Sequence, residues 1–348
     1  MNRHEFVRLS TGLLGGLGLR GAFADSVQGA ENTPSAASAP VLDESYLAKG
    51  LTGMARSDGW FPAHLGAAVL SGYYLCRENK LGADVVAAIK SQIDNLIEIV
   101  TPAQFEPLPE ETPDEALIEK IPAALAPAVE GGLRAHGHAV IYTALALRAL
   151  RDAPHLAQPT LIGKLCGHTA QIAKKKPQKP ATPGPYSDSQ AMVESLFDNM
   201  ARFEPLLGRP KVTRPNFTHM TTHSDALLTL DELGYTDLSR AGHPGHRAHV
   251  GEPVPEFDPA QHPIEESHPS LESIVSEEFW ESEENRRLWN RMWDFDTNPN
   301  GYWIAFGHLF KMLYAYHRLV PRIADKEKVR LCSRVLLERY FNPNVLGG

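Results

Sequence analysis

The chain is poor in cysteine, has no surplus of positive charge and contains no long apolar run, and each shortage excludes something. Cys76, Cys166 and Cys332 are its three cysteines in 348 residues. Three thiols with no C-x-x-C pair build neither a disulfide framework nor a thiolate zinc site. Cys76 and Cys332 fall inside apolar helical patterns, where a free cysteine acts as a small hydrophobe. Cys166 precedes Gly167 and His168, but nothing nearby orients a Cys/His pair, so it also reads as a packing residue. The net charge of −8 argues against a nucleic-acid partner. The one basic run, Lys174, Lys175, Lys176 and Lys179, sits among prolines and reads as a solvated loop. No stretch is long and apolar enough to be expected to span a bilayer as a helix, and no H-E-x-x-H or G-x-G-x-x-G occurs.

What is present begins with an address. Residues 1–24 read as an export signal, with Arg3 and Arg8 ahead of a short glycine-rich apolar stretch and Ala22-Phe23-Ala24 as an A-x-A cleavage site. The opening is twin-arginine-like but degenerate, because His4 stands where the second arginine belongs. Residues 25–42 are small, polar and proline-bearing, as in a flexible leader. The expected location is therefore outside the cytoplasm, periplasmic or secreted, and the mature domain spans 43–348.

Helical periodicity dominates that domain. It predicts helices over 43–56, 63–78, 83–99, 113–129, 138–152, 159–175, 187–206, 219–233, 270–293, 302–319 and 325–341. Gly234, Pro154 and Pro321 mark helix ends, and Thr112-Pro113-Asp114-Glu115 marks a start. The fold class is all-α, a single domain of packed helical hairpins in an α/α toroid-like arrangement. Residues 235–269, rich in proline and histidine, read as a long irregular loop.

Within this pattern His64, His138, His223 and His308 each head an apolar helical stretch, 74, 85 and 85 residues apart. Helices of the same polarity, packed side by side, would bring these imidazoles together at one end. Neutral imidazoles there would suit metal binding or base chemistry. The sharpest local motif is Asn216-Phe-Thr-His-Met-Thr-Thr-His-Ser-Asp225. His219 and His223, four apart, would share a helix face and could bind one transition metal, with Asp225 as an orienting or third ligand and Thr218 as an N-cap. Taken singly, each histidine is more simply a capping or hydrogen-bonding residue.

Two further motifs are weaker. Asp296, Asn298, Asn300 and Gly301 match the first half of a calcium loop, but Gly307 occupies the position of the bidentate glutamate, so a tight Asn-Gly turn is the better reading. That turn would bring Tyr302 and Trp303 near His308, where their rings could hold a planar or sugar ligand or simply pack. Glu194 with Asp198, and Asp231 with Glu232, are spaced for glycoside chemistry but are tied to no pocket.

Four segments together, FPAHLGAAVLSGYYL, GGLRAHGHAVIYTALALRAL, NFTHMTTHSDALLTLDELGY and GHLFKMLYAYHRL, resemble the questin oxidase-like family. The resemblance covers residues 60–317 in separate patches. It implies a predominantly helical fold and nominates His64, His138, His219, His223, His308 and, through H-x-x-K, Lys311 as site residues. It also implies oxidative opening of aromatic rings with NADPH and oxygen. NADPH is scarce outside the cytoplasm and the chain lacks a dinucleotide loop, so the family's fold transfers more readily than its reaction. The expectation is an exported oxidoreductase or metalloenzyme acting on an apolar or aromatic small molecule. The alternatives are an α/α-toroid carbohydrate enzyme and a non-catalytic ligand-binding protein of the cell envelope.

Overall fold

The computed structural model describes residues 42–81, 83–100, 102–182, 184–212, 216–265, 308–336 and 338–339. The export leader, the 270–293 helix, the half calcium loop, Tyr302 and Trp303 lie outside them. The described residues form an all-α domain with no strand; one isolated bridge pairs Leu133 with Gln178. The longer helices are α1 (Ser45–Ala55), α2 (His64–Glu78), α3 (Ala83–Asn95), α4 (Lys120–Val129), α5 (His138–Asp152), α6 (Pro159–Ala173), α7 (Ser189–Ala201), α8 (Phe217–Glu232), α9 (Thr236–Val250), α10 (His308–Leu319) and α11 (Lys326–Leu336).

Four of these make an inner ring. Helix α2 packs on α10, α10 on α8, α8 on α5 and α5 on α2. Every residue from His64 to Leu75 is buried, as is every residue from Phe217 to Leu230. A helix buried on every face has no solvent side to offer and must sit at the centre. The outer helices carry stripes instead: α1 covers α2, α9 and α7 cover α8, α4 and α6 lie against α5, and α11 closes on α7.

The ring helices run parallel, which two sets of contacts establish. Their N-terminal histidines meet at one end. At the other end, residues near the four C-termini join in one polar layer. Arg148 of α5 bonds Glu78 of α2 and Tyr314 of α10, while Arg318 of α10 pairs with Asp225 (2.7 Å) and Glu232 (2.6 Å) of α8. The inner ring of parallel helices with outer helices around it is the toroid-like feature expected of the chain.

Gly66 sets how closely α1 and α2 approach. A Cβ there would lie 2.2 Å from the Met54 backbone nitrogen and 2.4 Å from the Gly50 carbonyl oxygen. Only glycine permits that crossing, one half-turn from His64.

The irregular 235–269 segment needs correction. Its first part, Thr236–Val250, is helix α9 with Pro244 inside it; only 251–265 is irregular among the described residues. Proline removes one helical hydrogen bond, but α9 buries Ser239, Gly242, His243, Gly245, His246 and His249. Packing of that face, with Gly242 tight against Leu227, outweighs the local penalty. Elsewhere the differences are at the ends. Asp114, not the first helical turn, caps a short 3-10 segment, Glu115–Glu119, by accepting the Ala116 N–H, and α8 starts at Phe217, so Thr218 lies inside it.

Candidate metal centre

His64 and His138 open α2 and α5, His308 opens α10, and His219 is the third residue of α8. All four are buried. Their rings form a closed circuit with centroid separations of 4.4 Å (His64–His138), 4.7 Å (His138–His219), 5.1 Å (His219–His308) and 4.9 Å (His308–His64). One ligand nitrogen from each lies within 4.8 Å of the other three. Four buried histidines thus stand close enough to hold one transition-metal ion.

Backbone and amide oxygens orient three of these rings. His64 Nδ1 donates to the Phe61 carbonyl at 2.5 Å, His138 Nδ1 donates to the Ala135 carbonyl, and His219 Nδ1 donates to Asn216 Oδ1 at 2.6 Å. Asn216 Nδ2 in turn donates to His136 Nδ1 at 3.2 Å. A neutral imidazole has a single N–H, so each of these Nε2 atoms presents a lone pair. Yet His138 Nε2 lies 2.7 Å from His64 Nε2 and 3.2 Å from His219 Nε2. Facing lone pairs at that distance suit a shared cation. Burial, reinforced for His64 by the Lys311 charge and for His219 by His138, holds these rings well below the ordinary histidine range. Burial likewise holds His138 low, which favours the uncharged ring that a metal ion needs as a ligand.

The left-handed Ala135 (φ 44°), His136 (φ 51°) and Gly137 (φ 78°) deliver the chain into α5. This strained turn aims the Ala135 carbonyl at His138 and stacks His136 on His219 at 5.2 Å. Around the tetrad, Tyr142 Oη lies 2.6 Å from His64 Nδ1, Trp60 packs on His138 at 5.2 Å, and Phe61, 38% exposed, packs on His64 at 5.1 Å.

The structure redistributes the H-x-x-x-H pair. His219 joins the tetrad, and His223 does not. One turn further along α8, His223 sits against Gly137, where a Cβ would lie 2.7 Å from its ring, and its Nδ1 is 3.2 Å from His249 Nδ1 on α9. Equal sequence intervals had favoured His223, but the connections between ring helices differ in length, so equal spacing does not mean equal depth. Asp225 is not beside the tetrad nitrogens either. Its carboxylate, two turns into α8, is engaged by Arg318 at the far layer. Lys311, one turn below His308, is buried and burial pulls its pKa down to about 7. It faces a cavity of about 20 Å³ inside the ring, together with Ser71, Thr222 and Asp225, room for a guest of a few heavy atoms but not for an aromatic molecule.

The remaining acids and thiols are otherwise engaged. Glu194 accepts from Gln190, Asp198 pairs with Lys328, Asp231 accepts from Ser189 and Glu232 binds Arg318 and Arg322. The Cys166 thiol faces the Lys120 carbonyl, while His168 turns to Ser57 and the Met54 carbonyl.

Asn216, His136, Trp60 and the α9 histidines were not singled out from the sequence as site residues. The available signal was the His243, His246, His249 spacing of three, a helical face obscured by Pro244 and two glycines. His246 is fully engaged by Tyr186 Oη (2.9 Å) and Ser224 Oγ (2.6 Å), so it serves the packing of α9 on α8.

No family model, characterised protein sequence or solved structure matches this chain.

Proposed function

We propose that the protein is a metal-dependent oxidoreductase whose mononuclear centre is held by His64, His138, His219 and His308. The observation that carries this reading is the confrontation of Nε2 lone pairs on rings whose Nδ1 hydrogens are already committed to oxygens. An outer oxygen that fixes the tautomer of each ligand is the usual company of a metal-bound histidine. Imidazole suits iron, copper, nickel and zinc, and a divalent ion among neutral ligands keeps its full charge for Lewis-acid or electron-transfer chemistry. Hydrolysis would call for a carboxylate base beside the ion; Asp225 and Glu232 are held in ion pairs at the far layer, and the half-buried Glu252 is turned to the Asn216 backbone N–H. That favours redox chemistry. A small apolar or aromatic substrate would approach past Trp60 and the exposed edge of Phe61. NADPH is not part of the proposal, since the chain carries no glycine-rich dinucleotide loop.

Metal analysis of protein purified without chelators tests the reading. One equivalent of metal is expected, lost in His64→Ala and His138→Ala. Protein loaded with iron(II) should bind nitric oxide and give a high-spin signal, a direct sign of an open coordination position. Absence of stoichiometric metal in correctly folded protein overturns the centre. Metal without an open position leaves a structural site and removes the enzyme.

We also propose export in the folded state, which suits a protein that acquires its ion in the cytoplasm. The basic start, glycine-rich apolar stretch and A-x-A site of residues 1–24 support it. Cell fractionation of the full chain tests it; an unprocessed cytoplasmic protein would refute it.

A further inference from the structure

We propose that the cavity beneath the histidine tetrad binds a small anion of one to three heavy atoms through Lys311 and Ser71. The proposal names a ligand class for the site described above, and only its metal-linked readout rests on that reading.

Two polar atoms in this cavity lack partners. Lys311 is 4% exposed and makes no hydrogen bond or ion pair among the described residues, while Ser71, fully buried, leaves its Oγ unsatisfied. Both line the same space between α2, α5, α8 and α10. Buried polar groups are almost always satisfied, so two orphans facing one cavity point to a missing guest.

The surroundings select its charge. Asp225 and Arg148 also line the cavity, and each already has a counter-charge, Asp225 in Arg318 and Arg148 in Glu78. Lys311 is the amine left without a counter-charge, and a bound anion would hold it protonated. Above it converge the N-terminal ends of four helices of 12–16 residues, each with the positive end of its dipole toward the tetrad. The tetrad itself contributes four imidazoles and no carboxylate. Everything facing the cavity from above is neutral or positive, and a bound metal would add to that. The volume of about 20 Å³ limits the guest to halide, azide or formate size.

The test uses azide, formate and chloride against metal-free and cobalt(II)-loaded wild-type protein at constant ionic strength. Saturable stabilisation of the metal-free protein is expected, with a shift of the cobalt bands on the loaded form. Lys311→Met should weaken anion binding at least tenfold, and Ser71→Ala severalfold, with both variants still taking up one equivalent of cobalt. No saturable effect in wild type, or equal binding by Lys311→Met, overturns the proposal. If Lys311→Met does not fold, wild-type saturation and Ser71→Ala decide alone. Cobalt uptake without anion binding defeats this inference only; anion binding without cobalt uptake defeats the metal reading and spares this one.

Discussion

Asn216 offers the most discriminating perturbation of the centre. Its Oδ1 accepts the His219 Nδ1 hydrogen at 2.6 Å, and its Nδ2 is held by His136. Asn216→Ala removes this acceptor while leaving all four candidate ligands in place. The His219 ring then loses both its orientation and the bond that commits its hydrogen to Nδ1. Loss of such an outer partner weakens metal binding by about 10- to 100-fold, or ~1.4–2.7 kcal/mol. The same loss has a thermal signature. A ligand at 1,000 times its Kd stabilises by about 4 kcal/mol, and a hundredfold weaker ligand at the same concentration by only ~1.4 kcal/mol. At roughly 2–4 °C per kcal/mol for a domain of this order of size, the metal-induced rise in Tm should shrink by about 5–10 °C. Competition with a chromophoric chelator measures the affinity, and differential scanning measures the Tm. Asn216→Asp, which keeps the acceptor and makes it anionic, should restore or tighten binding. An Asn216→Ala protein that holds metal within twofold of wild type would refute the tautomer argument, because Nδ1 would then not be the committed nitrogen.

Other consequences follow from the same geometry. The metal-free protein should lose stability as pH falls below about 6.5. Burial lowers the His223 pKa from 6.5 to about 3, so between these values the unfolded chain binds the proton and the folded one does not. Each such histidine contributes a slope of about 1.4 kcal/mol per pH unit, lost on acidification; urea midpoints unchanged between pH 7 and pH 5 would contradict it. Gly66→Ala should cost about 2–3 kcal/mol in urea unfolding, because its new methyl would meet the Met54 backbone rather than a movable side chain. His249→Gln should leave one equivalent of metal bound, since His249 pairs with His223 and not with the tetrad; a metal-free variant would show that the second pair participates.

The helices and the histidines that lead them were legible in the sequence because period and position are local properties. Runs such as Leu65–Leu75 and Val140–Leu150 are too apolar to lie at a surface, so their burial at the centre followed from composition. Choosing His219 over His223 was not legible. Both lie on one face of α8, and what separates them is the neighbour each meets, His138 for one and His249 for the other. The fate of Asp225 was equally hidden, because its partner Arg318 is 93 residues away. Helix α9 was missed for a different reason: a local rule about proline was correct about cost and silent about the packing that outweighs it.

One regularity does join sequence to site. His64, His138 and His219 each anchor Nδ1 on the residue three positions earlier, through the carbonyls of Phe61 and Ala135 and the side chain of Asn216. The Phe61 and Ala135 carbonyls also accept the backbone N–H of the same histidine, and an oxygen with two lone pairs can take both bonds. The bond folds the imidazole back over the helix entrance and leaves Nε2 pointing across the ring. Parallel packing then does the rest: helices entered from one end bring their Nε2 atoms to a common point. The site is therefore assembled from a local motif repeated at separate helix starts, and its precision depends on how closely the helices approach. Gly66 at the α1–α2 crossing and Gly137 beside His223 are the positions where that approach is set, although neither touches the ion site.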